Sequence, residues 1–251
     1  MNNNIFALGW DVGGWMGKNN CFVLIEADKN NNKLSWFFDK KDFQIKKGKI
    51  FELSVIIESL YKQRFGDYAS LVIGIDAPLT FPVDFIDFIN QKDNYVSKPD
   101  LEIFNPLAYR ATDRYIYCKY GKKPLSATFD RLGNNLTVAV SHLRAWARQY
   151  DLDMDHNRFV RDEINIIETY PALVKPGKYK KAYQIIDDLI PEEIMKGTDQ
   201  YDAALCALMG VQFAFKNEFE VLPYLVFPPK EKHIYNKEGW IYHFDLEDIK
   251  R

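Results

Sequence analysis

Cysteine is scarce in this sequence, with three residues among 251. Cys21, Cys118 and Cys206 are widely spaced and form no C-x-x-C pair, so we expect free thiols in a reducing compartment and neither a disulfide framework nor a zinc site. No apolar run approaches the length needed to cross a bilayer. The first residues also lack the basic and apolar pattern of a signal peptide. These absences predict a cytoplasmic protein without a membrane partner.

A strong excess of charge of one sign is also missing. The net charge of −2 argues against a surface built throughout for nucleic acid, although it leaves local patches open. The composition, 47% apolar and 27% charged, is that of an ordinary globular protein that can bury a core. No internal repeat and no low-complexity linker divides the chain. We therefore expect one domain over residues 1–251.

Three apolar segments, each ending in an acidic residue, are the main feature that is present. The first ends at Asp11 and is followed by Gly13 and Gly14, which let the backbone turn sharply and approach a ligand. The other two end at Asp76 and Glu168. An unpaired acid is costly inside a buried strand and tolerable at its end, where α/β proteins bind ligands. The pattern predicts a functional site at one edge of a sheet.

The order of the predicted elements indicates an α/β fold. Short turns join the first three strands, which should form an antiparallel meander. A helix precedes the fourth strand, which should lie parallel to the first. This is the order of a ribonuclease H-like fold, with a mixed five-stranded sheet and a helical insertion at about 78–160 between strands four and five. The predicted strands cover residues 5–11, 21–27, 34–38, 71–76, 164–168 and, in the tail, 239–243, and the predicted helices cover 49–65, 81–90, 109–120, 134–150, 182–189 and 198–215.

Two further acids lie at the start of the last predicted helix. Asp199 and Asp202 are three residues apart in its first turn and therefore project from one face. With Asp11, Asp76 and Glu168 they make five carboxylates at element ends. Crowded carboxylates repel one another unless they are protonated or bridged by cations, and Mg²⁺ or Mn²⁺ prefers such hard oxygen ligands. One or two ions are the expected cofactor, because two ions roughly 3.5–4 Å apart stabilise the attacking water and the leaving oxygen in phosphodiester hydrolysis.

Each acid also has a structural explanation. Asp199 and Asp202 suit a helix N-terminus behind a threonine cap, where negative charge is favourable. Asp76 could cap the turn that follows it, and Glu168 could pair with a lysine of residues 175–181. The apolar neighbours of Asp202 favour a functional role for that residue.

Six short motifs follow one another along nearly the whole chain: GWDVGG at 9–14, IDAPL at 75–79, RATD at 110–113, ETYPA at 168–172, DQYDA at 199–203 and EGWI at 238–241. Together they resemble the domain-of-unknown-function family 429, whose members are described as predicted ribonuclease H-like nucleases. The D-x-x-D-A start of the last helix is also similar to RuvC-type Holliday junction resolvases, which carry acids at the ends of the first and fourth strands. The resemblance implies that Asp11, Asp76 and Asp202 are metal ligands, with Asp199 next. Glu168 lies in a family motif without an evident resolvase counterpart.

Residues 106–150 form a basic segment, with eight basic residues against two acidic ones. Basic residues neutralise phosphates and the interleaved aromatic residues can stack on bases, so nucleic acid is the expected partner. A solvated basic helix face is the alternative. The candidate substrate contacts are Arg110, Arg114, Lys122 and Lys123, and Arg110 could reach a scissile phosphate because it lies in one of the motifs.

These observations predict a metal-dependent nuclease that hydrolyses phosphodiester bonds in DNA or RNA. Its expected catalytic residues are Asp11, Asp76, Asp202 and Glu168, and its expected metal ligands are Asp11, Asp76, Asp199 and Asp202. One alternative is an actin-like or sugar-kinase-like phosphotransferase or ATPase, because residues 11–14 resemble the first phosphate loop of those enzymes, although they normally repeat the domain. The other alternative is a non-catalytic module that binds nucleic acid or protein. The sequence leaves the oligomeric state open.

Overall fold

The computed structural model describes residues 4–17, 19–39, 43–62, 70–92, 96–130, 132–150, 154–155, 158–161, 164–174, 180–230 and 233–247. Its strands are β1 (Asn4–Asp11), β2 (Cys21–Asp28), β3 (Lys33–Phe38), β4 (Leu71–Asp76), β5 (Met154–Asp155), β6 (Arg158–Arg161), β7 (Ile164–Thr169), β8 (Leu225–Val226) and β9 (Ile241–Phe244). Its helices are α1 (Leu53–Tyr61), α2 (Val83–Ile89), α3 (Ala111–Tyr120), α4 (Leu132–Gln149), α5 (Lys180–Asp187), α6 (Asp199–Ala214) and α7 (Ile234–Glu238). Single 3-10 turns lie at Glu102–Phe104 and Pro171–Leu173.

The strands form one mixed sheet. Along its main path the described strands follow the order β3-β2-β1-β4-β7-β6-β5, and β9 pairs with both β7 and β8. β2 is antiparallel to β1 and to β3, whereas β4 lies parallel to both β1 and β7. These pairings confirm the predicted α/β class, the antiparallel first three strands and the parallel fourth strand.

The sheet extends beyond the five predicted strands. β6 is antiparallel to the first part of β7, and β9 is parallel to its last part, so two strands share one edge of β7. The tail strand predicted at residues 239–243 corresponds to β9. The hairpin of β5 and β6 was not predictable from periodicity, because it is short and charged and its pairing depends on contact with β7.

Helices cover both faces of the sheet. On one face α6 packs on β1, where Ala7 and Leu208 are fully buried in a shared core. On the opposite face Leu8 of β1 packs in a second core with Ile56 of α1 and Leu143 of α4. Burial on both faces requires the nearly continuous apolar sequence that β1 has.

Small residues let α6 approach the sheet closely. A Cβ atom at Gly9 would lie 1.8 Å from the carbonyl oxygen of Ala203, and one at Gly74 would lie 2.4 Å from that of Cys206. Both distances are far below van der Waals contact, so glycine is required at both positions. Further along the helix, Gly210 lies against Ala7. α6 therefore runs antiparallel to β1, and its first turn lies above the ends of β1 and β4.

The segment between β4 and β7 is helical in its first part and ends in a hairpin. It contains α2, α3 and α4, followed by β5 and β6, so the last part of the predicted helical insertion is extended. The helix predicted over residues 49–65 is described as α1, and residues 63–65 lie outside the described residues. No helix in the described part of the chain is both long enough and apolar enough to cross a membrane.

Candidate functional site at the ends of the central strands

Asp11 and Asp76 are neighbours at the ends of two parallel strands. They are register partners in the pairing of β1 with β4, and neighbouring strands lie about 4.8 Å apart. Because side chains alternate between the two faces of a strand, both carboxylates share the face of Gly9 and Gly74, which α6 covers. Both side chains are half-buried. The structure thus brings these two predicted site residues together.

Asp199 and Asp202 add two carboxylates from the first turn of α6. The hydroxyl of Thr198 accepts a hydrogen bond from the backbone N–H of Tyr201 at 3.3 Å. The helix therefore has the threonine cap on which the structural explanation of Asp199 and Asp202 depends. The Asp199 carboxylate also accepts from the side-chain amide of Asn19 at 2.6 Å. This bond ties the start of α6 to the turn between β1 and β2.

The four aspartates, called here the acidic cluster, interact electrostatically. Burial, together with the charges of Asp76, Asp199 and Asp202, raises the pKa of Asp11 to about 9, while a hydrogen bond from the backbone N–H of Val12 opposes the shift. Like charges disfavour one another's ionised forms. The cluster therefore contains repulsion that either a proton or a cation can relieve.

Hydrogen bonds fix the turn that follows β1. The side-chain oxygen of Asn20 accepts from the backbone N–H of Gly13 at 3.1 Å and from the indole N–H of Trp10 at 3.2 Å, and Asn20 is fully buried. From α4, the amide of Asn135 donates to the carbonyl oxygen of Val12 at 2.6 Å. The chain on either side of the Asp11 carboxylate is therefore held by side chains from two other parts of the molecule.

Glu168 lies on the opposite face of the sheet from the acidic cluster. It is the register partner of Ile75, one residue before Asp76, so alternation turns it away from α6. Its two oxygens accept from Arg110 at 2.6 and 2.7 Å, and one also accepts from the backbone N–H of Leu79 at 3.0 Å. This geometry does not support the predicted catalytic role. Its ion-pair partner is Arg110, and residues 175–179 of the predicted lysine loop lie outside the described residues.

Arg110 is buried, with 1% of its surface exposed. Besides Glu168 it contacts Asp113, whose carboxylate accepts from Nε and Nη2 at 3.1 Å each. Burial works against the charged guanidinium, but the two carboxylates outweigh it and raise the pKa of Arg110. A buried charge is stable when it is paired in this way. Arg110, Asp113 and Glu168 thus form a compensated cluster, which a contact of Arg110 with a scissile phosphate would disturb. That contact stays a prediction.

Two other predicted substrate contacts are engaged within the protein. Arg114 donates to the carbonyl oxygen of Tyr109 at 2.7 Å. Lys123 pairs with Glu102 at 2.8 Å. Neither contact involves the acidic cluster, and Arg131 of the basic segment lies outside the described residues.

A cavity of about 170 Å³ lies beside Asp76. Tyr170 and Ala172 line it, and Lys122 contacts both, since its ammonium donates to the Ala172 carbonyl oxygen and lies 5.6 Å from the centre of the Tyr170 ring. Burial, with Asp76 and Asp113 nearby, raises the pKa of Tyr170 to about 12. Its hydroxyl therefore keeps its proton at neutral pH and can donate a hydrogen bond.

The acidic cluster has the donor chemistry of a site for a hard cation. Its donors are carboxylate oxygens, which Mg²⁺ and Mn²⁺ prefer, and its mutual repulsion is what a bound cation would relieve. Within the described ranges, no group of three or more His, Cys, Asp or Glu side chains is already arranged to hold a metal ion. The carboxylates fit such an ion in their chemistry, and their side chains must adjust to close around it.

Sequence reasoning missed the residues that support the acids. Asn20 and Asn135 lie in no motif, and their roles depend on contacts between distant segments. Tyr170 could have been found, because it lies in the ETYPA motif.

None of the protein-family models, curated proteins or solved structures compared with this chain matches it. Its function is therefore inferred from the site itself.

Proposed function

We propose that this chain is a Mg²⁺- or Mn²⁺-dependent nuclease in which Asp11, Asp76, Asp199 and Asp202 hold one or two ions. The convergence of these carboxylates carries the proposal. Helix capping explains Asp199 and Asp202 at the start of α6. It does not explain why Asp11 and Asp76, which are register partners on neighbouring strands, face the first turn of that helix. Half-burial of four mutually repelling acids costs stability, and such arrangements cluster at functional sites.

The strand arrangement supports a ribonuclease H-like fold for this nuclease. An antiparallel meander β3-β2-β1 is followed by the parallel strands β4 and β7, and a long buried helix runs back over β1. The same arrangement agrees with membership of the domain-of-unknown-function family 429 and with a RuvC-type acidic pattern. We propose both the family membership and the RuvC-type role of the acids together with the nuclease function.

The protein's own residues would hold and orient the reacting groups. When bound, the ions would activate a water and neutralise the charge that develops on the leaving oxygen. Asp11 must release its proton for an ion to bind, so metal affinity and protonation compete. Asn19 orients Asp199, and Asn20 and Asn135 hold the turn after Asp11. Loss of such a supporting hydrogen bond typically lowers the metal affinity about 10- to 100-fold.

Lys122 retains a role in substrate binding. Its ammonium contacts Tyr170 and Ala172, which are two of the residues that line the cavity beside Asp76. A phosphate of a nucleic-acid strand would be attracted there. The other three predicted basic contacts, Arg110, Arg114 and Lys123, have no part in this proposal.

Calorimetric titration with Mn²⁺ tests the site directly. The wild type would be compared with Asp11→Asn and Asp202→Asn, and Asp84→Asn is a matched control because Asp84 is half-buried in the first turn of α2. We expect the wild type and Asp84→Asn to bind alike. Removing a ligand of the acidic cluster should lower the affinity at least about tenfold. Incubation with labelled DNA and RNA then tests cleavage.

Three outcomes would contradict the proposal. Absence of Mn²⁺ binding by the wild type, with and without oligonucleotide, would overturn the metal-dependent mechanism and favour a non-catalytic binding module. Unchanged binding by both cluster variants would place the ion elsewhere. Hydrolysis of ATP without cleavage of either nucleic acid would favour the actin-like alternative.

A further inference from the structure

Residues 124–129, in the loop between α3 and α4, are held by side-chain hydrogen bonds, and Pro124 and Leu125 line the cavity beside Asp76. The hydroxyl of Ser126 donates to the carbonyl oxygen of Ala108 at 2.8 Å and accepts from the backbone N–H of Phe129 at 3.1 Å. The hydroxyl of Thr128 donates to the carbonyl oxygen of Leu107 at 3.1 Å. Ser126 is buried. The loop therefore presents its exposed side chains in defined positions.

Two large apolar side chains of this loop lie in solvent. Leu125 is 53% exposed and Phe129 is 65% exposed. Leu125 also lines the cavity beside Asp76. An apolar surface that continues into a cavity is typical of a site that a ligand covers.

The cavity has the size and the lining for one planar ring. The cavity measures about 170 Å³, and a volume of about 150 Å³ is enough to hold a benzene ring. Pro124, Leu132 and Ile241 supply apolar walls, and Tyr170 supplies an aromatic ring. The charged side chains of Asp76, Arg110, Asp113 and Glu168 line the cavity as well. Stacking of bases on aromatic side chains is a common way to bind single strands. Asp76 lies at the same cavity, so a ring bound there would be next to the acidic cluster.

We propose that this cavity takes one unpaired nucleobase of the substrate, beside the phosphate at the acidic cluster. The inference rests on the proposed nuclease function and specifies its substrate class. A base inside a duplex is stacked and paired, and it must be unstacked before it can enter a pocket. The preferred substrate is therefore single-stranded nucleic acid or a duplex that contains an unpaired nucleotide.

Three forms of one labelled oligonucleotide test the preference. They are a single strand, a fully paired duplex, and a duplex with one central unpaired nucleotide. Cleavage with Mn²⁺ and binding by fluorescence anisotropy would be measured for the full chain. We expect the single strand and the bulged duplex to be cleaved at least about tenfold faster than the paired duplex.

Variants of the cavity separate base binding from metal binding. Ala172→Leu fills the cavity from one wall, and Leu125→Ala removes apolar contact at its mouth. Both should lower the affinity for the single strand by about fivefold or more. Leu101→Ala is the matched control, because Leu101 is 49% exposed and is not part of the cavity wall. Mn²⁺ affinity should be unchanged in all three variants. Leu125→Ala keeps the test valid if Ala172→Leu fails to fold, since its side chain is exposed.

The outcomes distinguish this inference from the function it rests on. Equal cleavage of the three forms, or wild-type affinity of the cavity variants for the single strand, would overturn the base pocket and leave the nuclease function in place. Failure to bind and cleave every form would overturn the nuclease function as well.

Discussion

Two groups of carboxylates lie at the same end of the sheet and differ in the charges around them. In the acidic cluster, Asp11 and Asp76 are surrounded by further acids, and burial together with these charges raises the pKa of Asp11 to about 9. In the compensated cluster, the carboxylates of Asp113 and Glu168 share the buried guanidinium of Arg110. The first arrangement favours binding of a proton or a cation, and the second favours stability.

A difference of one position in register separates the two clusters. Asp11 aligns with Asp76, and Ile75 aligns with Glu168, so the acid of β7 points to the other face of the sheet. Arg110 directly precedes α3, and Glu168 is the last residue but one of β7. The compensated cluster thereby fastens the helical segment to the sheet within a few residues of Asp76. A carboxylate at a strand end is therefore not by itself evidence of catalysis.

Removing the charge of Arg110 should have the largest effect on stability. Arg110→Met leaves Glu168 and Asp113 buried without a cation, and breaking a buried pair in this way costs about 3–5 kcal/mol. Urea denaturation would measure the free energy of unfolding. Arg114→Met is the matched control, with an expected loss below about 1 kcal/mol. The double variant Arg110→Met/Glu168→Leu should recover part of the loss, because it also removes a buried negative charge. If Arg110→Met unfolds with the same free energy as the wild type, the ion pairs of Arg110 contribute little to stability.

Glu238 offers an intermediate case, in which backbone N–H groups compensate a buried carboxylate. Its two oxygens accept from the first residues of two helices, Val83 at 2.9 Å and Ala111 at 2.7 Å. Glu238→Gln replaces one acceptor with a donor and should cost about 2 kcal/mol. Urea denaturation, with exposed Glu220→Gln as the control, would measure it. Equal stability of the two variants would contradict this capping role.

Removing the charge of Asp11 from the acidic cluster should have the smallest effect on stability. It should raise the free energy of unfolding, whereas the other two changes lower it. The pKa of Asp11 is about 9 in the folded chain against an ordinary value of 3.8, so between these values the native state binds more protons than the unfolded state. Stability is therefore lost as pH rises through this window. Since Asp11 is partly exposed, we expect roughly 1–2 kcal/mol of this loss between about pH 5 and pH 8.

The comparison of wild type with Asp11→Asn isolates this effect. The stability of the variant should fall less over the same pH range, because it lacks the carboxyl group whose ionisation burial and the neighbouring charges oppose. Mn²⁺ should bind the wild type more tightly as pH rises toward 9, since binding releases the proton. Parallel pH profiles for the two proteins, measured by urea denaturation, would show that the pKa of Asp11 is not raised in the folded chain.

The sequence by itself determined the central strands, the main helices and the positions of the acids along them. Apolar runs that stop at Asp11 and Asp76 specify buried strands with polar ends, because an unpaired charge cannot lie inside the sheet. Short turns specify the antiparallel meander, and the apolar stretch that begins after Asp199 specifies a helix buried on the sheet. These are local patterns, so periodicity and turn chemistry are enough to predict them.

Only the tertiary structure decided which acids meet. The register of β4 with β7 turned Glu168 away from the cluster, and burial paired it with Arg110, which lies 58 positions away in the chain. The turn after Asp11 is likewise held by Asn135 of a distant helix. Whether a carboxylate repels its neighbours or forms an ion pair depends on contacts between segments that are remote in sequence, and local patterns carry no information about such contacts.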